Sequence, residues 1–169
     1  MAKCFAQKEG VDYEEIFGPI AKWATIRTPF ALAAQNNWKV HQMDVKTAFL
    51  NGYLKENVFM SQPKGFAVKR HEHKVCKLVK SLYGLKKAPR AWYEKITKHL
   101  LKLNFKHYLD DATLFVKEVG KTIVYLVVYV DDRLMTGSNE SYIASIKKEL
   151  RKGFEITDLG YVHYYLSMK

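Results

Sequence analysis

The sequence predicts an α+β fold in which helices pack on one face of a mostly antiparallel sheet. Three observations support this class. Short segments rich in β-branched and aromatic residues recur along the 169-residue chain. Helical patterns of apolar residues interrupt them only three times, and turn signals join neighbouring strands closely enough for hairpins. No internal repeat or linker-like change of composition is visible, so the length predicts one domain with a core.

The first half of the chain predicts one helix and three strands. Residues 25–35 have apolar side chains at helical spacing, and Pro29 fits there if Thr28 is the N-cap and Pro29 the first helical residue. A helix that began a full turn earlier would lose a backbone hydrogen bond at Pro29, at a cost of about 3 kcal/mol. The other predicted elements are strands over residues 40–45, 58–60 and 75–78 and a turn at residues 51–52.

The second half of the chain alternates helices with strands. One helix is predicted over residues 88–103, and another runs from an N-cap at Ser138 to residue 152, with Gly153 placed to end it. Residues 122–130 are almost continuously apolar, as in a central strand that is covered on both faces. The remaining predicted strands cover residues 112–116, 133–136, 154–156 and 161–166.

The excess positive charge lies in one quarter of the sequence. The chain has a formal net charge of +11, and residues 64–106 contain 13 Lys and Arg against two Glu, while the rest is neutral. A localised positive field attracts polyanions, because each neutralised phosphate releases counterions. Charge alone is equally compatible with a solvated basic surface, so both interpretations stay open at this point.

Apolar patterning and cysteine usage exclude several classes of protein. The longest apolar stretch, residues 123–130, is far shorter than the roughly 20 residues that a membrane-spanning helix needs. The N-terminal residues have no apolar run behind their charge, so we expect no secretion signal. Cys4 and Cys76 lie far apart in the sequence, which suits a reducing compartment and argues against a disulfide scaffold.

Three carboxylates stand where apolar strands end. Asp131 and Asp132 follow the apolar segment 122–130, and Asp44 lies near the end of the strand predicted over residues 40–45. An Asp pair in a hairpin turn is ordinary, since Asp tolerates turn geometry. If the two strands are neighbours, however, Asp44 and Asp131 converge, and converging like charges cost stability unless a cation binds between them. Such oxygen ligands suit Mg²⁺, and two ions about 3.5–4 Å apart drive nucleotidyl transfer.

Four motifs occur in order along the chain. They are Asp44-Val45-Lys46-Thr47-Ala48-Phe49-Leu50-Asn51-Gly52, Gln62-Pro63-Lys64-Gly65-Phe66, Ser81-Leu82-Tyr83-Gly84-Leu85-Lys86-Lys87-Ala88-Pro89-Arg90-Ala91-Trp92-Tyr93 and Tyr129-Val130-Asp131-Asp132. This series resembles the reverse transcriptase domain of Ty1/copia-type retrotransposon Pol polyproteins, from residues 5–13 to residues 158–160. The resemblance implies a fingers-and-palm fold over residues 1–169, with the thumb, connection and RNase H regions absent from this span.

The resemblance also implies a reaction and its metal ions. It implies an RNA-directed DNA polymerase that transfers nucleotides from dNTPs to a primer 3′-hydroxyl, with two Mg²⁺ ions for which Mn²⁺ can substitute. The implied catalytic and metal-binding carboxylates are Asp44, Asp131 and Asp132, and the backbone carbonyl of Val45 is a further metal ligand. The implied partners are an RNA or DNA template-primer, dNTPs and the other Gag and Pol parts of the parent element. The implied location is a cytoplasmic virus-like particle or the nucleus.

The remaining roles by resemblance concern nucleotide and nucleic-acid contacts. Phe49 matches the position that excludes a ribose 2′-hydroxyl, which gives a preference for dNTPs. The implied nucleotide-binding residues are Lys46, Phe49, Tyr83 and Gly84. The implied nucleic-acid-binding residues are Lys86, Lys87, Arg90, Lys95 and Lys98.

The chain departs from the family pattern at four positions. Cys4 stands where Gly is usual, Lys87 replaces a Gln, and Pro29 falls inside a normally uninterrupted helix. Arg133 follows the Asp pair where an apolar residue is usual, and it either adds a cation next to the metal site or points away. These departures leave open a catalytically inactive fragment that only binds nucleic acid. An RRM-like binding module is disfavoured, because its characteristic K/R-G-F/Y-G/A-F-V-x-F/Y strand is absent.

Other conspicuous residues have structural explanations. His71, His73 and Cys76 lack the second ligand cluster that a structural zinc site needs, so we expect solvated histidines in a basic loop. Trp92 is expected in the core. The pair at residues 110–111 is expected in a solvated turn rather than in a second metal site.

Overall fold

The computed structural model describes residues 7, 10, 18–108 and 111–166. These residues divide into two units. The first unit contains residues 49–95 and the described residues up to 18, and the second contains residues 19–48 and 96–166. The predictions for Cys4 and Asp110, and most of the motif at residues 5–13, fall outside the described residues.

The described residues form three α-helices and eight β-strands. The helices are α1 (Trp23–Asn36), α2 (Ala88–Lys102) and α3 (Glu140–Gly153). The strands are β1 (Val40–Val45), β2 (Tyr53–Ser61), β3 (Val75–Lys80), β4 (Lys106–Tyr108), β5 (Asp111–Val119), β6 (Thr122–Tyr129), β7 (Asp132–Gly137) and β8 (Ile156–Tyr161). A short 3₁₀ helix covers Ala48–Asn51. Across the described ranges, no helix is both long and apolar enough to span a membrane.

Six strands of the second unit form one antiparallel sheet. Their order is β4-β5-β6-β7-β1-β8, so β1 lies between two strands that follow it much later in the chain. The register places Val40 opposite Thr136 and Asp44 opposite Asp132. The predicted mixture of helices with an antiparallel sheet is confirmed.

Helices cover both faces of this sheet, so the expected packing on one face is wrong. Ile26 of α1 packs in one core cluster with Val40 and Leu134. The next residue of β1, His41, is hydrogen-bonded to Nζ of Lys147 in α3 at 2.9 Å. Successive residues of a strand point to opposite faces, so α1 and α3 lie on different sides of the sheet. The five consecutive buried residues of β6 reflect the same double coverage.

Helix α1 begins earlier than the sequence predicts. It starts at Trp23, so Pro29 lies inside the helix rather than at its first position. Pro29 has no N–H to donate to the carbonyl of Thr25, so the helix lacks one backbone hydrogen bond there. The predicted later start of the helix would not have had this cost. Tertiary contacts of the first turn offset that cost: the Thr25 hydroxyl donates to the carboxylate of Asp111, and Ile26 is buried.

Two element boundaries near the C-terminus differ from the predictions. Asn139 caps α3, because its side chain accepts a hydrogen bond from the N–H of Tyr142 at 2.9 Å. Ser138 instead accepts a hydrogen bond from the N–H of Ile123 in β6. A single strand, Ile156–Tyr161, replaces the two strands predicted over residues 154–156 and 161–166. It is an edge strand with mostly exposed residues, which weakens the apolar signal in the sequence.

The first unit contains a two-stranded antiparallel ribbon of β2 and β3. One face of the ribbon buries Val58 against Leu85 and Ala88. Gly52 leads into β2 where a Cβ atom would come within 2.8 Å of the backbone of Ala91, so the close approach requires glycine. The ribbon is longer than the two short strands that the sequence predicts.

A buried network of polar groups links β1, α3 and β8. Nζ of Lys147 donates to Nδ1 of His41 at 2.9 Å and to Oδ1 of Asp158 at 2.8 Å. Since Nδ1 of His41 accepts, its Nε2 holds the proton and donates to Glu140 at 3.0 Å. Burial, and then the charge of Lys147, lower the pKa of His41, against the opposing effect of Glu140 and Asp158.

We predict that acidification destabilises the protein through His41. Its pKa in the folded state lies below the ordinary value of 6.5, so the unfolded chain binds the proton more readily and stability falls as the pH drops below that value. His41→Gln keeps an acceptor for Lys147 and a donor for Glu140. We expect this variant to flatten the dependence of the urea unfolding midpoint on pH between about pH 8 and pH 5.

The matched control is His71→Gln, which changes an exposed histidine in a loop. Asp158 does not interfere, because its lowered pKa confines its loss of stabilisation to pH values below its ordinary 3.8. A pH profile that is unchanged by His41→Gln, or equally flattened by His71→Gln, would contradict the prediction.

Candidate active site

The three predicted carboxylates lie on neighbouring strands of the second unit. β1 and β7 pair with Asp44 opposite Asp132, and a two-residue turn of Val130 and Asp131 joins β6 to β7. The backbone N–H of Val45 donates to the carbonyl of Asp131 at 2.9 Å, which ties this turn to the end of β1. The strand adjacency on which their convergence depends is therefore present.

The turn has an uncommon backbone conformation. Val130 has a φ of 51°, a region that β-branched residues rarely occupy. Such conformations cost about 1–3 kcal/mol and persist where the surroundings fix them. Here, Nη1 of Arg133 donates to the carbonyls of Val130 at 2.9 Å and Asp132 at 2.6 Å. Together with the bond from Val45, these contacts hold all three carbonyls from residue 130 to residue 132.

Burial and mutual repulsion raise the pKa values of two of the carboxylates, Asp131 and Asp132. Burial, and then the negative charge of Asp44, raise the pKa of Asp131. Burial also raises the pKa of Asp132, although a hydrogen bond from Nε2 of Gln42 at 3.1 Å opposes the shift. Within the described residues, Oδ1 of Asp131 is buried and has no hydrogen-bond partner. A buried carboxylate oxygen of this kind is suited to a cation.

Gln42 is a partner of the carboxylates that was not among the predicted site residues. Gln42 and Asp44 are two residues apart in β1, and residues at this spacing point to the same face of a strand. The sequence therefore predicts that Gln42 and Asp44 share a face of β1. It does not predict that Gln42 reaches Asp132, because only the fold places β7 beside β1.

Arg133 places a buried cation beside the carboxylates. Its side chain is 1% exposed, and burial lowers its pKa to about 10, against the opposing effect of Asp131 and Asp132. The guanidinium therefore stays protonated at neutral pH. The guanidinium interacts electrostatically with Asp131 and Asp132, while its Nη1 donates to backbone carbonyls of the turn.

The carboxylates provide the right donor chemistry for Mg²⁺ but not a closed set of ligands. Within the described ranges, no three Asp, Glu, His or Cys side chains are grouped so that they could hold a metal ion. Mg²⁺ is commonly held by one or two carboxylates while substrate phosphates and water complete its shell. Asp44 and Asp131 supply hard oxygen ligands of this type, including the unpartnered Oδ1 of Asp131.

Two of the predicted nucleotide-binding residues are in contact in the first unit. The rings of Phe49 and Tyr83 lie 5.0 Å apart at an interplanar angle of 56°. The buried Ser81 hydroxyl donates to the carbonyl of Phe49, and Gly84 has a φ of 90°, which its lack of a side chain permits. Lys46 belongs to the second unit, where its Nζ lies 2.6 Å from the carboxylate of Glu155.

The predicted nucleic-acid-binding cations have different environments. Lys87 pairs with the carboxylate of Glu56, and Nε of Arg90 lies 3.3 Å from Glu94, which also pairs with Lys55. The predicted basic track is therefore partly neutralised, which the excess of Lys and Arg in the sequence did not indicate.

The remaining predicted cations are Lys86, Lys95 and Lys98. Nζ of Lys95 lies 5.0 Å from the ring centre of Tyr53. Lys98 is exposed and belongs to the second unit. The backbone N–H of Lys86 donates to the side-chain oxygen of Gln7 at 2.8 Å.

Trp92 agrees with its structural explanation, whereas Asp111 does not. Trp92 is 2% exposed and belongs to the core, as expected. His71, His73 and Cys76 form no metal-holding group in the described residues. Asp111 is not in a solvated turn, because it begins β5 and its carboxylate accepts hydrogen bonds from Thr25 and Thr113.

Comparison with known proteins identifies the family. The family model described as Reverse transcriptase (RNA-dependent DNA polymerase) matches residues 1–169. The chain belongs to the reverse transcriptase family. No solved structure matches the chain.

The relatives of this reverse transcriptase chain are retrotransposon proteins of the Ty1/copia type. It is 43% identical to the retrovirus-related Pol polyprotein from transposon RE1 of Arabidopsis thaliana over 169 residues, all of this chain and 12% of that polyprotein. It is 45% identical to the retrovirus-related Pol polyprotein from transposon TNT 1-94 of Nicotiana tabacum, over all of this chain and 13% of that polyprotein. The putative transposon Ty5-1 protein of Saccharomyces cerevisiae is 36% identical over 75% of this chain and 41% of that protein. The chain therefore spans a small part of the Pol polyproteins that it matches.

We predict that Arg133→Met destabilises the metal-free protein by about 3–5 kcal/mol, because it leaves buried carboxylates without their cation and frees two carbonyls of the turn. Millimolar Mg²⁺ should then stabilise the variant more than it stabilises the wild type, since the ion meets a more negative cluster. Urea unfolding in EDTA and in Mg²⁺ measures both effects. Arg133→Lys retains the charge and serves as the control, and an Arg133→Met variant as stable as the wild type in EDTA would refute this role for Arg133.

Proposed function

We propose that the chain is the fingers-and-palm part of a retrotransposon reverse transcriptase and acts as an RNA-directed DNA polymerase. The observation that supports this most is the register of β1 and β7, which pairs Asp44 with Asp132 and ties the Asp131 turn to β1. Membership of the reverse transcriptase family supports the same reaction. In this proposal the second unit corresponds to the palm and the first unit to the fingers.

The proposed roles follow from chemistry and resemblance together. Asp44, Asp131 and the carbonyl of Val45 would hold two divalent ions, Mg²⁺ or Mn²⁺, and Asp132 would complete the catalytic triad. The Phe49 ring excludes a ribose 2′-hydroxyl, and its contact with Tyr83 fixes the position of that ring. Gly84 and Lys46 contact the nucleotide. The basic residues Lys86, Lys87, Arg90, Lys95 and Lys98 face the template-primer.

The proposed reaction is a nucleotidyl transfer. The primer 3′-hydroxyl oxygen forms a bond to the α-phosphorus of the dNTP, the bond from that phosphorus to the bridging oxygen breaks, and pyrophosphate leaves while the hydroxyl proton passes to solvent. When bound, the two ions supply activation of the hydroxyl and neutralisation of the leaving pyrophosphate. The protein supplies geometry: the hydrogen bonds from Val45 and Arg133 hold the Asp131 turn in one conformation.

The partners in this proposal are an RNA or DNA template-primer, dNTPs and the other Gag and Pol parts of a parent element. The site of action would be a cytoplasmic virus-like particle or the nucleus. The sequence similarity to Pol polyproteins supports this assignment.

A second candidate is a catalytically inactive fragment that only binds nucleic acid. Arg133 favours it, because a guanidinium buried beside Asp131 and Asp132 competes electrostatically with a divalent ion for the same carboxylates. Exposed lysines such as Lys98 would still attract phosphates in such a fragment.

We predict that Asp131→Asn abolishes primer extension on poly(rA)/oligo(dT) with dTTP, in Mg²⁺ and in Mn²⁺, while affinity for the template-primer stays nearly unchanged. The variant removes the negative charge of a proposed metal-binding carboxylate, but it removes no side chain that contacts a phosphate. Glu118→Gln is the matched control, because it neutralises an exposed carboxylate of β5 in the same sheet.

The outcomes separate the two candidates. Extension by the wild type and by Glu118→Gln, but not by Asp131→Asn, would support the polymerase. A folded wild type that binds the template-primer and extends no primer would favour the inactive fragment. Retained synthesis by Asp131→Asn together with a large loss of affinity would refute the assigned role of Asp131.

A further inference from the structure

Tyr165 places a buried hydroxyl group in the core of the second unit. The residue is 2% exposed and belongs to the core cluster that contains Val40 and Leu134. The centre of its ring lies 6.4 Å from that of Phe30 in α1. Within the described residues, the hydroxyl of Tyr165 is buried and has no hydrogen-bond partner. A buried polar group without a partner destabilises a fold, because it has lost its hydrogen bonds to water.

Tyr165 lies on the face of the sheet that carries Asp44 and Asp132. Val40 and Asp44 are four residues apart in β1, so both point to the same face. Leu134 shares that face with Asp132, because the two are two residues apart in β7 and Asp132 lies opposite Asp44. Since Tyr165 packs in one cluster with Val40 and Leu134, its side chain lies on this face as well.

The segment after β8 holds Tyr165 against the sheet. The N–H of Val162 donates to the carbonyl of Val40 in β1 at 2.9 Å. Tyr129 packs against the same core cluster, and it lies opposite Asp132 in the register of β6 and β7. The cluster that contains Tyr165 therefore extends to the end of the sheet where the carboxylates lie.

The charge of Asp132 acts on the hydroxyl of Tyr165. Burial, and then the charges of Asp132 and Tyr129, raise the pKa of Tyr165, against the opposing effect of Arg133. The hydroxyl therefore stays protonated at neutral pH. It is a hydrogen-bond donor within electrostatic range of an anionic carboxylate and a buried guanidinium.

The stability of the fold does not account for this hydroxyl. Phenylalanine has the same ring and would leave no polar group buried without a partner at position 165. Replacing such a group by an apolar one of the same shape is neutral or stabilising. Natural proteins depart from the rules of stability mainly at functional or strained sites.

We propose that Tyr165 is a positioning residue whose hydroxyl donates to the carboxylate of Asp132 when a divalent ion binds the acidic cluster. The negative charge of Asp44 repels Asp132 in the metal-free protein, and a bound ion removes that repulsion. Gln42 already donates to Oδ1 of Asp132 at 3.1 Å, and a second donor would fix the orientation of this carboxylate.

This role deepens the proposed function and rests on it, because it takes the acidic cluster as a binding site for divalent ions. Tyr165 is not among the residues assigned by resemblance. Hydrogen-bond partners that orient a metal-binding side chain typically contribute about 10- to 100-fold to metal affinity.

Mn²⁺ binding to the full chain tests the proposal. The electron paramagnetic resonance signal of free Mn²⁺ is followed during a titration without template-primer or dNTP, so synthesis does not contribute. We expect Tyr165→Phe to bind Mn²⁺ at least about tenfold more weakly than the wild type does. In EDTA, we expect its urea unfolding midpoint to equal or exceed that of the wild type, because the variant lacks the buried hydroxyl.

Matched variants separate positioning from packing. Tyr125→Phe makes the same change at a buried tyrosine of the same core cluster, and it should leave Mn²⁺ affinity unchanged. Asp132→Ala removes the proposed acceptor. In that background, Tyr165→Phe should weaken Mn²⁺ binding by less than about twofold, since both changes remove the same hydrogen bond.

The possible results distinguish a failure of this inference from a failure of the proposed function. Equal Mn²⁺ affinity of the wild type and Tyr165→Phe, the same loss in Tyr125→Phe, or an undiminished loss in the Asp132→Ala background would each overturn the role of Tyr165 alone. A Tyr165→Phe variant that is less stable than the wild type in EDTA would also overturn it, because the hydroxyl would then support the metal-free fold. A folded wild type that binds no Mn²⁺ would contradict both this inference and the proposed metal site.

Discussion

The pairing of β1 with β7 is the constraint on which the second unit depends. β1 lies between β7 and the edge strand β8, although both of those strands follow it by about ninety residues or more. Closing so long a segment costs entropy, and the burial of Met43, Leu134 and Met135 in the centre of the sheet offsets it. The same pairing sets Asp44 opposite Asp132. The acidic cluster is therefore a consequence of how the core is assembled.

Buried cations compensate the charges that this assembly brings together. Arg133 supports the turn at residues 130–132 and offsets the repulsion of the carboxylates, while Lys147 joins His41 to Asp158 at the β8 side of the sheet. A buried charge is tolerated when hydrogen bonds and opposite charges surround it. Lys147 donates to His41 and Asp158, and Nη1 of Arg133 donates to two carbonyls of the turn, within electrostatic range of Asp131 and Asp132. Hydrogen bonds from Val45 and Arg133 therefore hold the carbonyls of this turn. The charge of Arg133 also moderates the field that an incoming divalent ion meets.

The first unit shows how an overall positive charge divides into paired and free cations. Lys87 and Arg90 each have an acidic partner, so carboxylates within the fold largely neutralise their charges. Lys77, Lys80 and Lys95 retain theirs next to exposed rings. The net charge of the segment is the same in either arrangement. Only the positions of the side chains show which cations remain available to a phosphate.

Motifs and periodicity are local properties, so the family, the central apolar strand, the position of α2 and the three carboxylates at strand ends could be predicted from the sequence. The coverage of both sheet faces, the Asn139 cap, the start of α1 ahead of Pro29 and the single strand β8 could not, and tertiary contacts determine them. The tertiary structure also decided that Arg133 binds the carbonyls of Val130 and Asp132 and that Gln42 donates to the carboxylate of Asp132. These features arise from contacts between residues far apart in the chain. The free energy of such contacts outweighs the local preferences of the sequence. In α1, for example, the burial of Thr25 and Ile26 offsets the cost of a proline inside the helix.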